Sequence, residues 1–155
     1  MLGAVDRETN RRAVLKEISK RPSGIIPHEI VYHSLATVAA PDMVAQLYDW
    51  YDRGDSYILA MEYPENSIDL FDLTMDFENL EVSVIQTVMI QVVETVLKLR
   101  SKEIMHCDIK DENVLVDTIT LKCKFIDFGW ASEKSDEIVS LKIFYSIFEI
   151  SGIWI

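Results

Sequence analysis

The chain has 155 residues, of which 49% are hydrophobic, and a formal net charge of −11. This length and composition suit one domain with a sizeable core and argue against disorder throughout. The acidic balance argues against nucleic-acid binding and is compatible with a basic partner. No charge-free apolar run of twenty residues and no signal-like start is visible, so we expect neither a membrane span nor secretion. Cys107 and Cys123 have neither disulfide-framework nor zinc spacing, which favours a reduced intracellular protein.

The first half of the chain predicts strands on either side of one helix. Residues 11–20, 43–51 and 56–63 have the alternation or the β-branched and aromatic content of strands. Glycine-containing turns follow the first strand and separate the other two. Between them, residues 27–38 predict a helix with Pro27 at its first position.

The side chains of this helix suggest how it is oriented. Glu29 lies in the first turn, where a carboxylate complements the helix dipole. We expect one side of the helix to face the core, and its members are three or four residues apart: Ile30, Ser34 or Leu35, and Val38.

The second half predicts two helices and a hairpin. A connector over residues 64–75 leads into a short helix, and residues 81–100 predict a long helix that is apolar on most sides and therefore buried. Its apolar residues at helical spacing are Ile85, Val88, Met89, Val92, Val96 and Leu99. Residues 113–117 and 123–128 predict the two strands of a hairpin. This order of elements indicates an α+β fold in two parts, with a junction near Pro64.

A polar stretch, HCDIKDEN, separates the long helix from the hairpin, and IDFG ends the second strand of that hairpin. Four polar side chains should then meet at one end of the hairpin: Asp108, Lys110, Asn113 and Asp127. Such a set suits phosphoryl transfer, because one carboxylate orients the acceptor hydroxyl and a lysine screens the γ-phosphate. An amide and a second carboxylate can hold Mg²⁺, which prefers hard oxygen ligands.

The order H-x-D-x-K-x-x-N followed by D-F-G resembles the signature of protein kinases. Upstream, AVLK resembles their V-A-I-K strand, and the resemblance is continuous from Ala13 to Phe128. It implies a protein-kinase-like α+β fold that is incomplete. The chain would comprise a small lobe without its glycine-rich loop, followed by the first helix and the catalytic hairpin of the large lobe.

The resemblance also implies ATP and Mg²⁺ as cofactors and assigns roles to particular residues. Catalysis would fall to Asp108 and Lys110. Nucleotide binding would involve Lys16, Glu29, Asn113 and Asp127, of which the last two would hold the metal. We expect Lys16 to approach both Glu29 and Asp127, and Asp108 and Asn113 to face the same cleft.

The stretch MEYPENSIDLFDLT matches the hinge that holds adenine in kinases, with Met61 at the gatekeeper position and Glu62 beside it in the nucleotide site. Pro64 has no N–H, so one backbone donor that most kinases offer to adenine is absent.

This proline, followed by DLFD and DIKDEN, resembles the Pim family of serine/threonine kinases. Members act on basic peptides, and three acids match positions that meet substrate arginines: Asp69, Asp72 and Glu112. The resemblance implies cytoplasmic or nuclear signalling in survival and the cell cycle.

The sequence also departs from that family. The stretch MLGAVDRETN has one glycine where a phosphate-covering loop has three, Cys107 replaces an arginine that steadies the activation segment, and no APE motif follows DFG. We therefore expect a partial small lobe over residues 1–63, the hinge and start of the large lobe over residues 64–132, and an apolar tail over residues 133–155. Such a chain would bind Mg²⁺–ATP weakly and transfer phosphate slowly or not at all. It would also leave three helix valines partly uncovered: Val88, Val92 and Val96.

Two functions stay open at this point. One is a serine/threonine protein kinase, and the alternative is a catalytically inactive, truncated kinase that acts as a binding or decoy module. Single residues also have plainer structural interpretations. Lys16 alone would be a strand-edge charge that limits aggregation, and Glu29 alone a first-turn helix acid. Asp69 and Asp72 alone would be solvated connector acids.

Overall fold

The computed structural model describes residues 2–5, 10–20, 26–75 and 80–133. In chain order the elements are β1 (Leu2–Val5), β2 (Arg12–Ser19), α1 (His28–Ala39), β3 (Leu47–Asp52), β4 (Ser56–Glu62), β5 (Ser67–Asp69), α2 (Leu70–Thr74), α3 (Val82–Arg100), β6 (Ile104–Met105), β7 (Val114–Asp117), β8 (Cys123–Phe125) and β9 (Ser132–Glu133). This content confirms the predicted α+β fold. The predicted turn over residues 21–25 and nearly all of the predicted tail lie outside the described residues.

The strands form three antiparallel sheets, with the orders β1-β2-β4-β3, β5-β7-β8 and β6-β9. In the four-stranded sheet, Val14 pairs with Met61 and Lys16 with Leu59. Alternate residues of a strand point to the same face, so this register places Val14 and Lys16 on one side of the sheet. The predicted turn between β3 and β4 is present, and Gly54 adopts a φ of 97° in it, a conformation that glycine tolerates without strain.

Helix α1 buries a different side from the one that its apolar residues predict. Its buried residues are Glu29, Ile30, His33 and Ala36, whereas Leu35 and Val38 are 50% and 82% exposed. The prediction is correct for Ile30 and wrong for Leu35 and Val38, because two polar residues of the helix find hydrogen-bond partners inside the molecule. Glu29 accepts from Lys16, and His33 donates to the carbonyl of Ala45.

Helix α3 packs on the hairpin formed by β7 and β8, and together they make the main core. Val88, Val92 and Val96 are only 1%, 0% and 9% exposed, so the expectation that they would be uncovered is wrong. They lie in one apolar cluster with the hairpin residues Val114, Val116 and Phe125. The Gln91 side chain fastens the two elements, because it donates to Leu121 O at 2.7 Å and accepts from Cys123 N at 3.1 Å.

The opposite side of α3 is open, which corrects the expectation of a helix buried on most sides. Val82, Ile90 and Leu97 are 68%, 59% and 59% exposed. By length and composition alone, α3 could cross a bilayer. A core helix of a folded domain passes the same test, and the buried side of α3 belongs to the main core.

A short segment after α1 joins the four-stranded sheet to the hairpin. Val44 forms a β-bridge with Phe125. Phe125 N donates to Met43 O at 2.9 Å, and Ala45 N donates to Phe125 O at 3.0 Å. The two parts of the fold are therefore connected by this bridge as well as by the chain after β4.

Candidate active site

Lys16 lies between two carboxylates that come from distant parts of the chain. Its Nζ is 2.6 Å from Glu29 Oε1 on α1 and 2.9 Å from Asp127 Oδ1 after β8. This geometry confirms the prediction that Lys16 approaches both residues. It also replaces the two plainer interpretations, since Lys16 is not an edge charge and Glu29 points inward.

The charges of this triad reinforce one another. Burial lowers the pKa of Lys16, but hydrogen bonds to Glu29 and Asp127 outweigh it, and the net pKa is raised. Burial raises the pKa of Asp127, but the hydrogen bond and charge of Lys16 and the Gly129 N–H outweigh it, and the net pKa is lowered. The lysine is therefore cationic and the aspartate anionic at neutral pH.

The backbone around Asp127 is shaped for this contact. Asp127 has a φ of 63°, in the left-handed region, and its Oδ1 accepts from Gly129 N at 3.2 Å. A Cβ at Gly129 would lie 3.1 Å from that oxygen and 3.5 Å from Glu29 Oε2. Glycine at this position thus leaves room for both carboxylates.

Phe128 anchors the same segment between two histidines. Its fully buried ring stacks on His33 at 5.0 Å and contacts His106 at 4.7 Å between ring centroids. His33 could not be predicted as a site residue, because a single histidine in a helix forms no pattern. Its only sequence signal is its position one helical turn after Glu29.

The polar stretch after α3 brings the predicted catalytic residues together. Asn113 Nδ2 donates to the Asp108 carbonyl at 2.8 Å and to Asp108 Oδ2 at 2.9 Å. Lys110 Nζ lies 3.8 Å from Asp108 Oδ2. Ile126 N donates to Asn113 O at 3.0 Å, which places Asn113 next to the segment that carries Asp127. The Asp108 carboxylate is half-buried and fixed in direction, as a group that orients a hydroxyl must be.

His106 and Cys107 support this stretch. His106 Nε2 donates to the Ile126 carbonyl at 2.9 Å, and its Nδ1 accepts from Asp108 N at 3.4 Å. Burial lowers the pKa of His106, so the ring is neutral and holds the backbone in place. Cys107 is a free cysteine with a φ of 62°, and its sulfur lies 3.3 Å from Ser132 Oγ.

A cavity of about 220 Å³ lies between the four-stranded sheet and the hairpin. Its apolar walls come from both parts of the fold: Val14, Ala45, Met61, Leu115 and Ile126. Lys16, Glu29 and Asp127 line one part of it, and residues 62–64 line another. An apolar slot with charged groups beside it suits a flat ring that carries an anionic chain.

Glu62 borders the cavity, but its carboxylate is already engaged. Lys124 Nζ lies 2.7 and 2.6 Å from the two carboxylate oxygens, and Gln46 N donates to Oε2 at 3.0 Å. Its backbone N–H also donates to Gln46 O, at 2.8 Å. The structure therefore places Glu62 at the predicted site without leaving its carboxylate free for a ligand.

The three predicted substrate contacts lie on neighbouring elements, because α2 packs against the turn over Asp111–Asn113. Asp69 caps α2, with its Oδ1 accepting from Asp72 N at 2.8 Å. Asp72 and Glu112 are exposed. A hydrogen bond shared with the neighbouring Asp111 carboxyl lowers the pKa of Glu112, and the Glu112 side chain is open to solvent.

Asp127, which lines the cavity, and Asn113 offer a donor set that fits Mg²⁺. Asn113 Nδ2 is used by Asp108, which leaves Asn113 Oδ1, and Asp127 Oδ1 is used by Lys16 and Gly129, which leaves Asp127 Oδ2. Two hard oxygens from protein are typical of Mg²⁺, which takes its other ligands from phosphate and water. The described part of the chain has no cluster of three or more His, Cys, Asp or Glu that could hold a metal by itself.

The sequence motifs predict this arrangement, in which Lys16 contacts Glu29 on α1 and Asp127 next to the buried Phe128. In agreement with it, the chain belongs to the protein kinase domain family, whose model matches residues 1–145. The matched range passes the boundary that we predict after residue 132, so the division into three regions stays a prediction.

Three relatives show which kinases the chain resembles. It is 35% identical over 132 residues to "Serine/threonine-protein kinase pim-2" of Danio rerio, covering 80% of this chain and 43% of that protein. It is 31% identical over 121 residues to "Serine/threonine-protein kinase prk-2" of Caenorhabditis elegans, covering 78% of this chain and 27% of that protein. It is also 30% identical over 131 residues to "Serine/threonine-protein kinase 1" of African swine fever virus (isolate Pig/Kenya/KEN-50/1950), covering 84% of this chain and 42% of that protein. The chain spans less than half the length of each.

Proposed function

We propose that this chain functions as a serine/threonine protein kinase of the Pim type, with ATP and Mg²⁺ as cofactors and basic peptides as substrates. The observation that carries the proposal is the position of Lys16. It lies 2.6 Å from Glu29 and 2.9 Å from Asp127 at an apolar cavity. A cation fixed in this way can hold nucleotide phosphates, and the carboxylate beside it can hold their metal.

Each residue of the site then has a defined task. Bound ATP with its metal supplies the phosphoryl group. Val14 and Leu115 would enclose the adenine ring, and Lys16 would hold the α- and β-phosphates. Asn113 and Asp127 would hold Mg²⁺ through the oxygens that their hydrogen bonds leave available. Asp108 orients the serine or threonine hydroxyl and accepts its proton, while Lys110 neutralises charge on the transferred group.

Nucleotide binding is tested by titration calorimetry with and without Mg²⁺. We expect weak binding, because Pro64 offers no N–H to adenine, and we expect it to depend on Mg²⁺. Asp127→Asn should weaken it about tenfold or more, because one charge of the metal site is lost. Asp42→Asn, at an exposed acid that does not line the cavity, is the matched control. Tight binding that ignores Mg²⁺, or that Asp127→Asn leaves unchanged, contradicts the proposal.

Phosphoryl transfer is tested with γ-labelled ATP and an arginine-rich serine peptide. We expect at most a slow rate, which Asp108→Asn should abolish while Mg²⁺–ATP binding is retained, since Asp108 acts on the acceptor hydroxyl. If nucleotide binds but no label is transferred, the second function, a binding or decoy module, is supported instead. A rate that survives Asp108→Asn would remove Asp108 from the mechanism.

The preference for basic peptides is supported by the exposed acids Asp72 and Glu112 and by the net charge of −11. Asp69, which caps α2, also keeps one carboxylate oxygen available. Glu112→Gln should raise the KM for an arginine-containing peptide and leave the KM for its alanine-substituted counterpart unchanged. Equal effects on both peptides would show that Glu112 does not contact arginine.

We further propose that the protein acts in the cytoplasm or the nucleus, in survival and cell-cycle signalling. The support is the likeness to Pim-type kinases in the residues after Pro64 and around Asp108. Imaging of a fluorescent fusion tests the location. Accumulation at a membrane or in the secretory pathway would contradict it.

A further inference from the structure

The ion pair between Glu62 and Lys124 joins the two parts of the fold at the edge of the cavity. Glu62 ends β4 in the four-stranded sheet, and Lys124 lies in β8 of the hairpin sheet. Lys124 Nζ contacts both carboxylate oxygens, at 2.7 and 2.6 Å. The side chains of Lys124 and Glu62 are only 22% and 19% exposed, respectively. Neither residue of this pair has been given a catalytic task above.

Both ends of the pair continue into residues that line the cavity. Glu62 borders it directly and leads into Tyr63 and Pro64. Lys124 pairs in register with Leu115, which also lines the cavity. Asp127 follows Lys124 by three residues. A displacement of either partner would therefore move one wall of the nucleotide site relative to the other.

The geometry of the pair favours a positioning function over a contribution to stability alone. Exposed ion pairs contribute little, because solvent screens them and holding the side chains costs entropy. This pair is largely covered, and the Glu62 carboxylate is held in direction by the Gln46 N–H at 3.0 Å. Glu62 N in turn donates to Gln46 O at 2.8 Å. The carboxylate thus accepts three charge-assisted bonds from two fixed partners, and such bonds are directional, as apolar packing is not.

We propose that Lys124 is a positioning residue for nucleotide binding, which holds the end of β4 at a set distance from the strand that leads to Asp127. The proposal rests on the nucleotide-binding function proposed above. The Val44–Phe125 bridge supplies a second attachment between the same two parts. The Lys16–Asp127 ion pair and the chain after β4 also connect these parts, and the Glu62–Lys124 pair adds a connection at the edge of the cavity beside residues 62–64.

This function predicts a difference between ligands that span the cavity and ligands that do not. ATP contacts the walls near Glu62 and the charged end at Lys16 and Asp127, so it needs both at the correct separation. Tripolyphosphate with Mg²⁺ contacts only the charged end. Loss of the ion pair should therefore weaken ATP binding and spare tripolyphosphate binding.

The test compares Lys124→Met with Lys122→Met in the full chain. Lys122 is an exposed lysine on the same hairpin and serves as the matched control. In Lys124→Met we expect the Kd for Mg²⁺–ATP to rise about tenfold and the Kd for Mg²⁺–tripolyphosphate to stay within about twofold. The charge-reversed double variant, Glu62→Lys with Lys124→Glu, should recover part of the lost ATP affinity. Equal losses for both ligands, or no loss for ATP, overturn the proposal.

A measurement on the ligand-free protein separates this inference from the proposed function. Amide hydrogen exchange at Gln46 and Glu62 should be about tenfold faster in Lys124→Met than in Lys122→Met, because their mutual bonds lose the fixed carboxylate. If wild type binds no Mg²⁺–ATP, the proposed function fails, and the exchange rates still decide whether Lys124 fixes the two parts. Identical exchange in both variants overturns the positioning role. Should Lys124→Met not fold, Lys124→Gln removes the same charge and supports the same comparison.

Discussion

His33 and His106 are buried ionisable residues on either side of Phe128, and both are held neutral. Burial lowers the pKa of each, only partly offset by hydrogen bonds to the carbonyls of Ala45 and Ile126. His33 Nδ1 has no hydrogen-bond partner within the described residues. Protonation would therefore place an uncompensated charge in the core beside Phe128.

This burial predicts a loss of stability in mild acid. Each folded-state pKa is below the ordinary value of 6.5, so unfolding takes up protons as the pH falls below about 6.5. The free energy of unfolding should then fall by up to about 1.4 kcal/mol per pH unit per histidine. Urea denaturation between pH 7.5 and 5.5 measures this slope. His33→Leu should reduce it by about half, whereas His28→Gln, at an exposed histidine, should not. An unchanged slope in His33→Leu would show that another group dominates.

At the scale of elements, α3 offers a matched pair of leucines on its two sides. Leu99 is 1% exposed and belongs to the main core, whereas Leu97 is 59% exposed. We expect Leu99→Ala to lower the free energy of unfolding by about 2–5 kcal/mol, because it leaves a cavity in the core. Leu97→Ala should change it by less than about 0.5 kcal/mol. Chemical denaturation of both variants measures the difference, and similar losses would mean that the outer side of α3 is covered in solution.

The elements also show what the sequence could and could not predict. The positions of Lys16, Asn113 and Asp127 in the site could be predicted from the motifs that contain them. The order of these motifs indicates that Lys16 and Asp127 meet, although 111 residues separate them in the sequence. The hairpin strands were also predictable from two short apolar runs. The strands β5, β6 and β9 have only two or three residues each, too few to show an alternation of apolar and polar side chains, so the sequence did not predict them.

The buried side of α1 could not be predicted for a different reason. Periodicity assumes that polar residues point outward, whereas Glu29 and His33 point inward. Their partners, Lys16 and Ala45, belong to other elements, and nothing in the helix itself reveals them. The contact between Glu62 and Lys124 could not be predicted either, because the two residues are 62 positions apart and belong to no common motif.

For the whole molecule, the proposed ligand should act as a clamp between its two parts. A ligand that binds only the folded state raises stability by RT ln(1 + [L]/Kd), which is about 2.7 kcal/mol at one hundred times Kd. For a chain of this size we expect Mg²⁺–ATP to raise the Tm by about 5–10 °C at that concentration. Differential scanning fluorimetry measures the shift. Asp127→Asn at the same ATP concentration should lose about half of it or more, and an equal shift with ATP and EDTA would contradict a metal-dependent site.

The register between β2 and β4 has a consequence for how this chain tolerates changes of length. Deleting one residue between Ala13 and Lys16 would turn Lys16 to the opposite face of the sheet, because side chains alternate along a strand. The turn at Gly54 is different, since it is exposed and the space around it is open; the φ of 97° favours glycine itself, so added residues belong beside Gly54 and not in its place. Insertions should therefore accumulate at that turn during divergence and be absent from β2. The same turn is the natural place to graft an epitope or a reporter without disturbing the buried cation.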